Sequence, residues 1–166
     1  MAPRLTSVLL VTAYLLVGST GRGAATGAVR SDEMRWTPPV APVRVVAEFD
    51  PPVHRWLPGH RGIDLRTTPG TKVRAAGAGR VTFASSLAGR GVVTIDHGGL
   101  RTTYEPVDPL VARGDAVGLG GIIGTVGTGT GHCGSGRCLH LGLRRGSEYL
   151  DPGLLLGRVS ARLLPW

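Results

Sequence analysis

Two short segments, far apart in the chain, hold the residue types and spacings that could do chemistry. His60-Arg-Gly-Ile-Asp64 sets an imidazole and a carboxylate four residues apart at the entry to a strand, where both can converge on one cation. Cys138-Leu139-His140 sets a thiol and an imidazole two residues apart, and in a strand such residues look out from the same face. Two histidines and one aspartate, with a fourth position open, are the ligand types and count of a catalytic zinc site. Neither segment decides the matter alone. A loop histidine near an aspartate is common, and His140 stands in an apolar run, Leu139 to Leu143, where a histidine is either a core residue with satisfied nitrogens or a ligand. His132, in the loop entering Cys133, is close enough in sequence to swing over such a site. His97 reads as a turn residue, and His54 and Trp56 as packing residues or a lid ahead of His60. The glycines come without the lysine and hydroxyl of a phosphate-binding loop, and no Gly-x-Ser-x-Gly elbow is present.

The elements that must position these residues are strands. A chain of 166 residues is a prior for one domain. Its 27 glycines and 12 prolines, with few aromatics, suit many short strands and tight turns better than a helical bundle. Val45 to Phe49, Thr71 to Ala76, Gly79 to Ser85, Gly91 to His97, Arg101 to Tyr104, Gly121 to Thr128 and Cys138 to Leu143 each mix β-branched or apolar residues in alternation. Gly98-Gly99 marks a hairpin turn, and Gly153 to Leu164 offers at most one short helix. The expected fold is all-β, a compact antiparallel two-sheet β-sandwich. The expected organisation is 1–27 signal peptide, 28–45 extended linker, 46–157 domain and 158–166 tail.

The signal-peptide reading rests on a basic start at Arg4, an apolar stretch from Val8 to Val17 and small residues from Gly23 to Ala28. The apolar stretch is too short to span a bilayer comfortably, so secretion without a remaining membrane span is expected. Loss of Arg4 and Arg22 with the leader takes the net charge from +8 to about +6. The charge is almost all arginine, Lys72 being the only lysine, and no basic run stands out. A solvated surface explains it, and nucleic acid is not an expected partner. In an oxidising compartment Cys133 and Cys138 would close a small disulfide loop; a free thiol or a metal-bound Cys138 thiolate are the alternatives.

From His60 to Leu155 the chain resembles the lysostaphin/LytM-type zinc metallopeptidases, peptidase family M23. The resemblance is carried by landmarks in order: Gly59-His60-Arg-Gly-Ile-Asp64, Pro69-Gly70-Thr-Lys-Val73, Val92-Val-Thr-Ile-Asp-His97-Gly98, Thr103-Tyr104, Arg113-Gly114-Asp115, Gly121-Ile-Ile-Gly124, Leu139-His140 and Leu150-Asp151-Pro152. It implies the LytM-type sandwich, zinc as the cofactor, and His60, Asp64 and His140 as its ligands. It also implies peptides of bacterial peptidoglycan as substrate and an extracellular or cell-wall location. Two departures bear on turnover. The family usually carries Tyr-x-His where this chain has Tyr104-Glu105-Pro106, and His-x-His where it has Cys138-Leu139-His140. Each lost histidine is a group worth about 10²–10⁴ in rate. The candidate substitutes are Tyr104, facing the site and donating its phenol, and His132; alternation turns Glu105 away from the metal. The implied function is therefore a secreted zinc metalloendopeptidase-like domain. The alternative is an inactive member that binds peptidoglycan or regulates another cell-wall hydrolase. An adhesin using only its charge is a third reading.

Overall fold

The computed structural model describes residues 35–54, 56–129 and 138–157. The expected signal peptide, His132, Cys133 and the expected tail lie outside these residues.

Eleven strands make two antiparallel sheets. In chain order they are β1 (Val45–Ala47), β2 (Gly62–Arg66), β3 (Lys72–Arg74), β4 (Gly79–Leu87), β5 (Arg90–Asp96), β6 (Leu100–Glu105), β7 (Val107–Pro109), β8 (Ala116–Val117), β9 (Ile122–Val126), β10 (Cys138–Arg145) and β11 (Glu148–Leu150). The large sheet runs β1-β2-β10-β6-β5-β4-β8, with β11 also paired to β10, and the small sheet runs β3-β9-β7. A short 3₁₀ turn, Pro152–Leu156, follows, and the Asp151 side chain accepts from the Gly153 N–H at its start. The expected all-β fold with two antiparallel sheets is the one observed.

Alternation explains why the sheets close on each other. One face of the large sheet supplies Ile63, Leu65, Val93, Ile95, Tyr104, Leu139 and Leu141 to a core completed by Val73, Val107, Ile123 and Val126 of the small sheet. Each such side chain contributes about 1.5–3 kcal/mol on burial, so this face is the main source of stability. Gly98-Gly99 does form the hairpin turn expected between β5 and β6. Both glycines have positive φ, 81° and 114°, and the Asp96 carboxylate accepts from the Gly98 N–H.

The segment expected as a linker, 28–45, is built into the domain over its described part. The Thr37 N–H donates to the Ala76 carbonyl, the Arg74 N–H donates to the Pro39 carbonyl, and Val40 is in the core. Prolines there do not signal a free linker. They leave an extended strap that lends its remaining backbone groups to the neighbouring strands.

Candidate metal centre

The centre is built where β2 and β10 pair. Their register sets His140 opposite Asp64 and Cys138 opposite Arg66. Opposed residues of an antiparallel pair share a face, so Asp64 and His140 project together. Gly62, two residues before Asp64, is required for this. A Cβ there would lie 2.3 Å from the Leu141 carbonyl oxygen and 2.7 Å from the His140 ring. His60 arrives from outside the strand, held by reciprocal backbone hydrogen bonds with Asp50.

Three atoms converge. Nε2 of His60 is 3.2 Å from Asp64 Oδ1 and 3.1 Å from Nδ1 of His140, and that Nδ1 is 2.9 Å from the same carboxylate oxygen. Asp64 and His140 are buried and His60 is half-buried. Nδ1 of His60 lies 2.6 Å from the Glu48 carbonyl oxygen, which can only accept, so the proton of the neutral ring is on Nδ1 and the lone pair of Nε2 points into the cluster. A carbonyl fixing the outer nitrogen of a histidine is the usual support of a metal ligand. A tetrahedral zinc ion with bonds of about 2.0–2.1 Å has ligand–ligand edges of about 3.3 Å, close to the three separations here. Among the described residues these three form the one His/Cys/Asp/Glu group with metal-binding spacing, and Cys138 does not join it.

The candidate substitutes fare differently. Tyr104 is a correction: its ring is fully buried and its hydroxyl belongs to the core, not to the site. It accepts from the Ala76 N–H at 2.8 Å and is 2.9 Å from Thr102 Oγ1, which in turn is bonded to Nε2 of His97 at 2.7 Å. Burial pushes the Tyr104 pKa up to about 12. Glu105 is the reverse correction. It pairs with His140 in register, while Tyr104 pairs with Leu141 of the core face, so Glu105 lines the cleft beside the triad. There it accepts from Arg90 Nε at 2.7 Å. The family pattern suggested a tyrosine turned toward the site; the ladder turns the tyrosine to the core face, and alternation then delivers Glu105 to the cleft.

His97 does more than turn the chain. Its ring is buried, with Nδ1 2.8 Å from the Ala78 carbonyl and Trp36 edge-on at 5.0 Å, and this burial holds its pKa below the ordinary value. His54 and Trp56 stack on each other at 5.0 Å rather than packing inward, and Trp56 stays 79% exposed.

The family model for peptidase family M23 matches residues 58–152, more than half of the chain, and the match includes all three members of the triad. The chain belongs to peptidase family M23. An uncharacterized protein of Mycobacterium tuberculosis is 43% identical over 148 residues, 86% of this chain and 59% of that protein. The chain thus spans about three-fifths of the length of the curated relatives it matches. Among solved structures of the fold, Helicobacter pylori Csd3 is similar with TM-score 0.59 and 27% identity, over 80% of this chain and 37% of that one. A point mutant of the catalytic domain of the prophage-encoded M23 protein EnpA from Enterococcus faecalis is similar with TM-score 0.58 and 25% identity, over 71% and 95%. M23 membership accounts for the order of strands around the triad. It does not by itself account for Pro106 and Cys138, where this chain departs from the usual histidines.

Proposed function

We propose that this M23 member is a secreted zinc metalloendopeptidase-like domain acting on peptides of bacterial cell-wall peptidoglycan. The observation that carries the reading is the convergence of two imidazole nitrogens and one carboxylate oxygen within 3.2 Å of each other. Zinc, when bound, supplies Lewis acidity toward a peptide carbonyl. The chain's own residues would do the rest. Glu48 fixes the His60 tautomer, and His60, Asp64 and His140 hold the ion. Gly142 and Thr103 give the cleft a low floor beside His140, leaving room for an extended peptide backbone. The Arg90–Glu105 ion pair borders the same floor. A leader over 1–27 and a Cys133–Cys138 disulfide belong to this reading. The disulfide would hold the buried Cys138 sulfur out of the metal's coordination.

One observation favours the second reading, a member that binds peptidoglycan or regulates another cell-wall hydrolase. Tyr104 is locked in the core, which removes one of the two candidate substitutes for the missing histidines. The test has two stages. Purified protein lacking the leader should hold one zinc per chain, and His140→Ala should lose it. Purified peptidoglycan should release soluble peptide fragments with the parent chain and none with the variant. Zinc without fragments at any protein concentration would leave the binding role, and absence of zinc would end both metal-bearing readings.

A further inference from the structure

The cleft does not end at the triad. Its floor is a set of rows that start on β2 or β11 and cross β10 and β6, the second and third reaching β5. The first row is Asp64, His140 and Glu105; the second is Gly62, Gly142, Thr103 and Thr94. The third row is Tyr149, Arg144, Arg101 and Asp96, with Arg144 and Arg101 directly opposed across β10 and β6. The side chains of Arg61, Arg101, Arg144 and Tyr149 line that far end of a cleft of about 380 Å³.

Two like charges set directly opposite in a sheet destabilise it, so a solvated surface has no reason to hold them there. They are also held in place. Tyr149 lies under both Arg61 and Arg144, whose guanidinium carbons are 5.7 and 6.0 Å from its ring centre. Arg101 is bonded to Asp96 through Nη2 at 3.5 Å, yet its Nε is buried and, among the described residues, is the one buried side-chain nitrogen or oxygen with no hydrogen-bond partner. Glu105, which also lines the cleft, is engaged by Arg90 at 2.7 Å. The far end therefore sets Arg101 and Arg144 side by side, with the Asp96 carboxylate in reach of Arg101 Nη2 only at 3.5 Å.

We propose that Arg101 and Arg144, flanked by Arg61 and Tyr149, form a carboxylate subsite that takes an acidic group of a bound peptide. Four residues of β10 separate Arg144 from His140, a run of about 13 Å. An extended peptide covers that distance in about four residues, fewer if the arginines reach back along the floor. The subsite thus selects peptides whose carboxylate lies about three or four residues from the bond presented to the triad. The glycine and threonine row between them supplies the space for the intervening backbone. This rests on the peptidase reading only for the position of that bond; the carboxylate recognition stands on the arginines alone.

The experiment uses the chain as purified, with NMR confirming that each peptide stays intact, so that binding is read without turnover. Three pentapeptides are titrated by NMR: a glycine-rich free acid, its C-terminal amide, and the amide with one interior glutamate. The free acid should bind about tenfold more tightly than the plain amide, as a charge-assisted bidentate contact gives, with the preference shrinking as salt rises. In Arg101→Gln/Arg144→Gln the preference should disappear, and in Arg101→Lys/Arg144→Lys part of it should remain. Tight binding of the interior-glutamate amide as well would support the subsite with a side-chain carboxylate as its ligand; binding of the free acid alone would assign a chain terminus. Equal binding of acid and amide to the parent chain, or no binding of the acid, overturns the proposal. So does a preference that survives in the glutamine variant with unfolding temperature unchanged. Should that variant fail to fold, the salt dependence and the lysine variant decide. Fragment release from peptidoglycan is read separately, so either result can fail while the other holds.

Discussion

At the scale of single residues, function and stability separate on the two faces of β6. Tyr104 and Thr102 point to the core and join His97 and the Ala76 N–H in one buried hydrogen-bonded chain. Thr103 and Glu105 point to the cleft. Tyr104→Phe should therefore lower stability by about 1–3 kcal/mol, because the Ala76 N–H and Thr102 lose a buried partner, while zinc content stays at the parent value. Chemical denaturation and metal analysis read the two effects; a loss of zinc at unchanged stability would return Tyr104 to the site. His97 in the same chain makes stability depend on pH. Its burial sets the folded pKa below 6.5, the unfolded value, so the contribution is complete above pH 6.5 and is lost as pH falls through the folded pKa. Unfolding followed from about pH 7.5 to 5 in chelator, to exclude metal release, should show this acid-side loss in the parent chain. His97→Gln should be less stable at neutral pH and lack that component of the slope; parallel curves would mean His97 is not its source.

At the scale of elements, the centre depends on one close pairing, that of β2 with β10, more than on any loop. Gly62 is the hinge of that dependence, since a methyl group there meets backbone of β10 and the His140 ring at once. Gly62→Ala should cost about 1–3 kcal/mol by overpacking and should also weaken zinc retention by displacing His140. Gly118→Ala, where an added Cβ meets nothing within 4 Å, is the matched control and should leave both unchanged. Equal zinc affinity in parent and Gly62→Ala would show that the ring has room to spare. The same pairing shows what a sequence can and cannot disclose. Alternation in Leu139-His140-Leu141 announced a strand, because side-chain period is local information. The triad was legible only through the resemblance to the M23 family, the His-x-x-x-Asp spacing being too common to decide it. Which face of β6 meets the core is set by its partner: Tyr104 opposes Leu141, and one residue of phase exchanges Tyr104 for Glu105 at the cleft. The Glu48 carbonyl that orients His60 had no signal at all, since a backbone oxygen carries no residue type. The arginine row was equally hidden, as Arg61, Arg101 and Arg144 are scattered in sequence and meet only through register and the β10–β11 turn.

At the scale of the whole molecule, an ion held by the triad would not support the two sheets equally. The small sheet and the core face are closed by apolar contacts that make no use of the triad. The segment from Glu48 to His60 is different. It is closed on itself by the Asp50–His60 backbone pair and tied to β2 and β10 by the His60 ring, which bridges from Glu48 to Asp64 and His140. Removing a ligand that binds only the folded chain lowers stability by RT ln(1 + [L]/Kd), about 4 kcal/mol when zinc stands at roughly a thousand times its Kd. Chelation should therefore lower the unfolding temperature, and returning zinc should restore it. The loss should also be local before it is global. In hydrogen exchange, the Asp50 and His60 amides, which bond to each other's carbonyls, should lose protection in chelator at temperatures where the domain remains folded. The Val126 amide, bonded to Thr71 across the small sheet, should exchange at the same rate with and without zinc. Uniform deprotection of both regions would mean that the metal holds the fold as one unit, and no change in either would mean that the chain keeps its three ligands for something other than an ion.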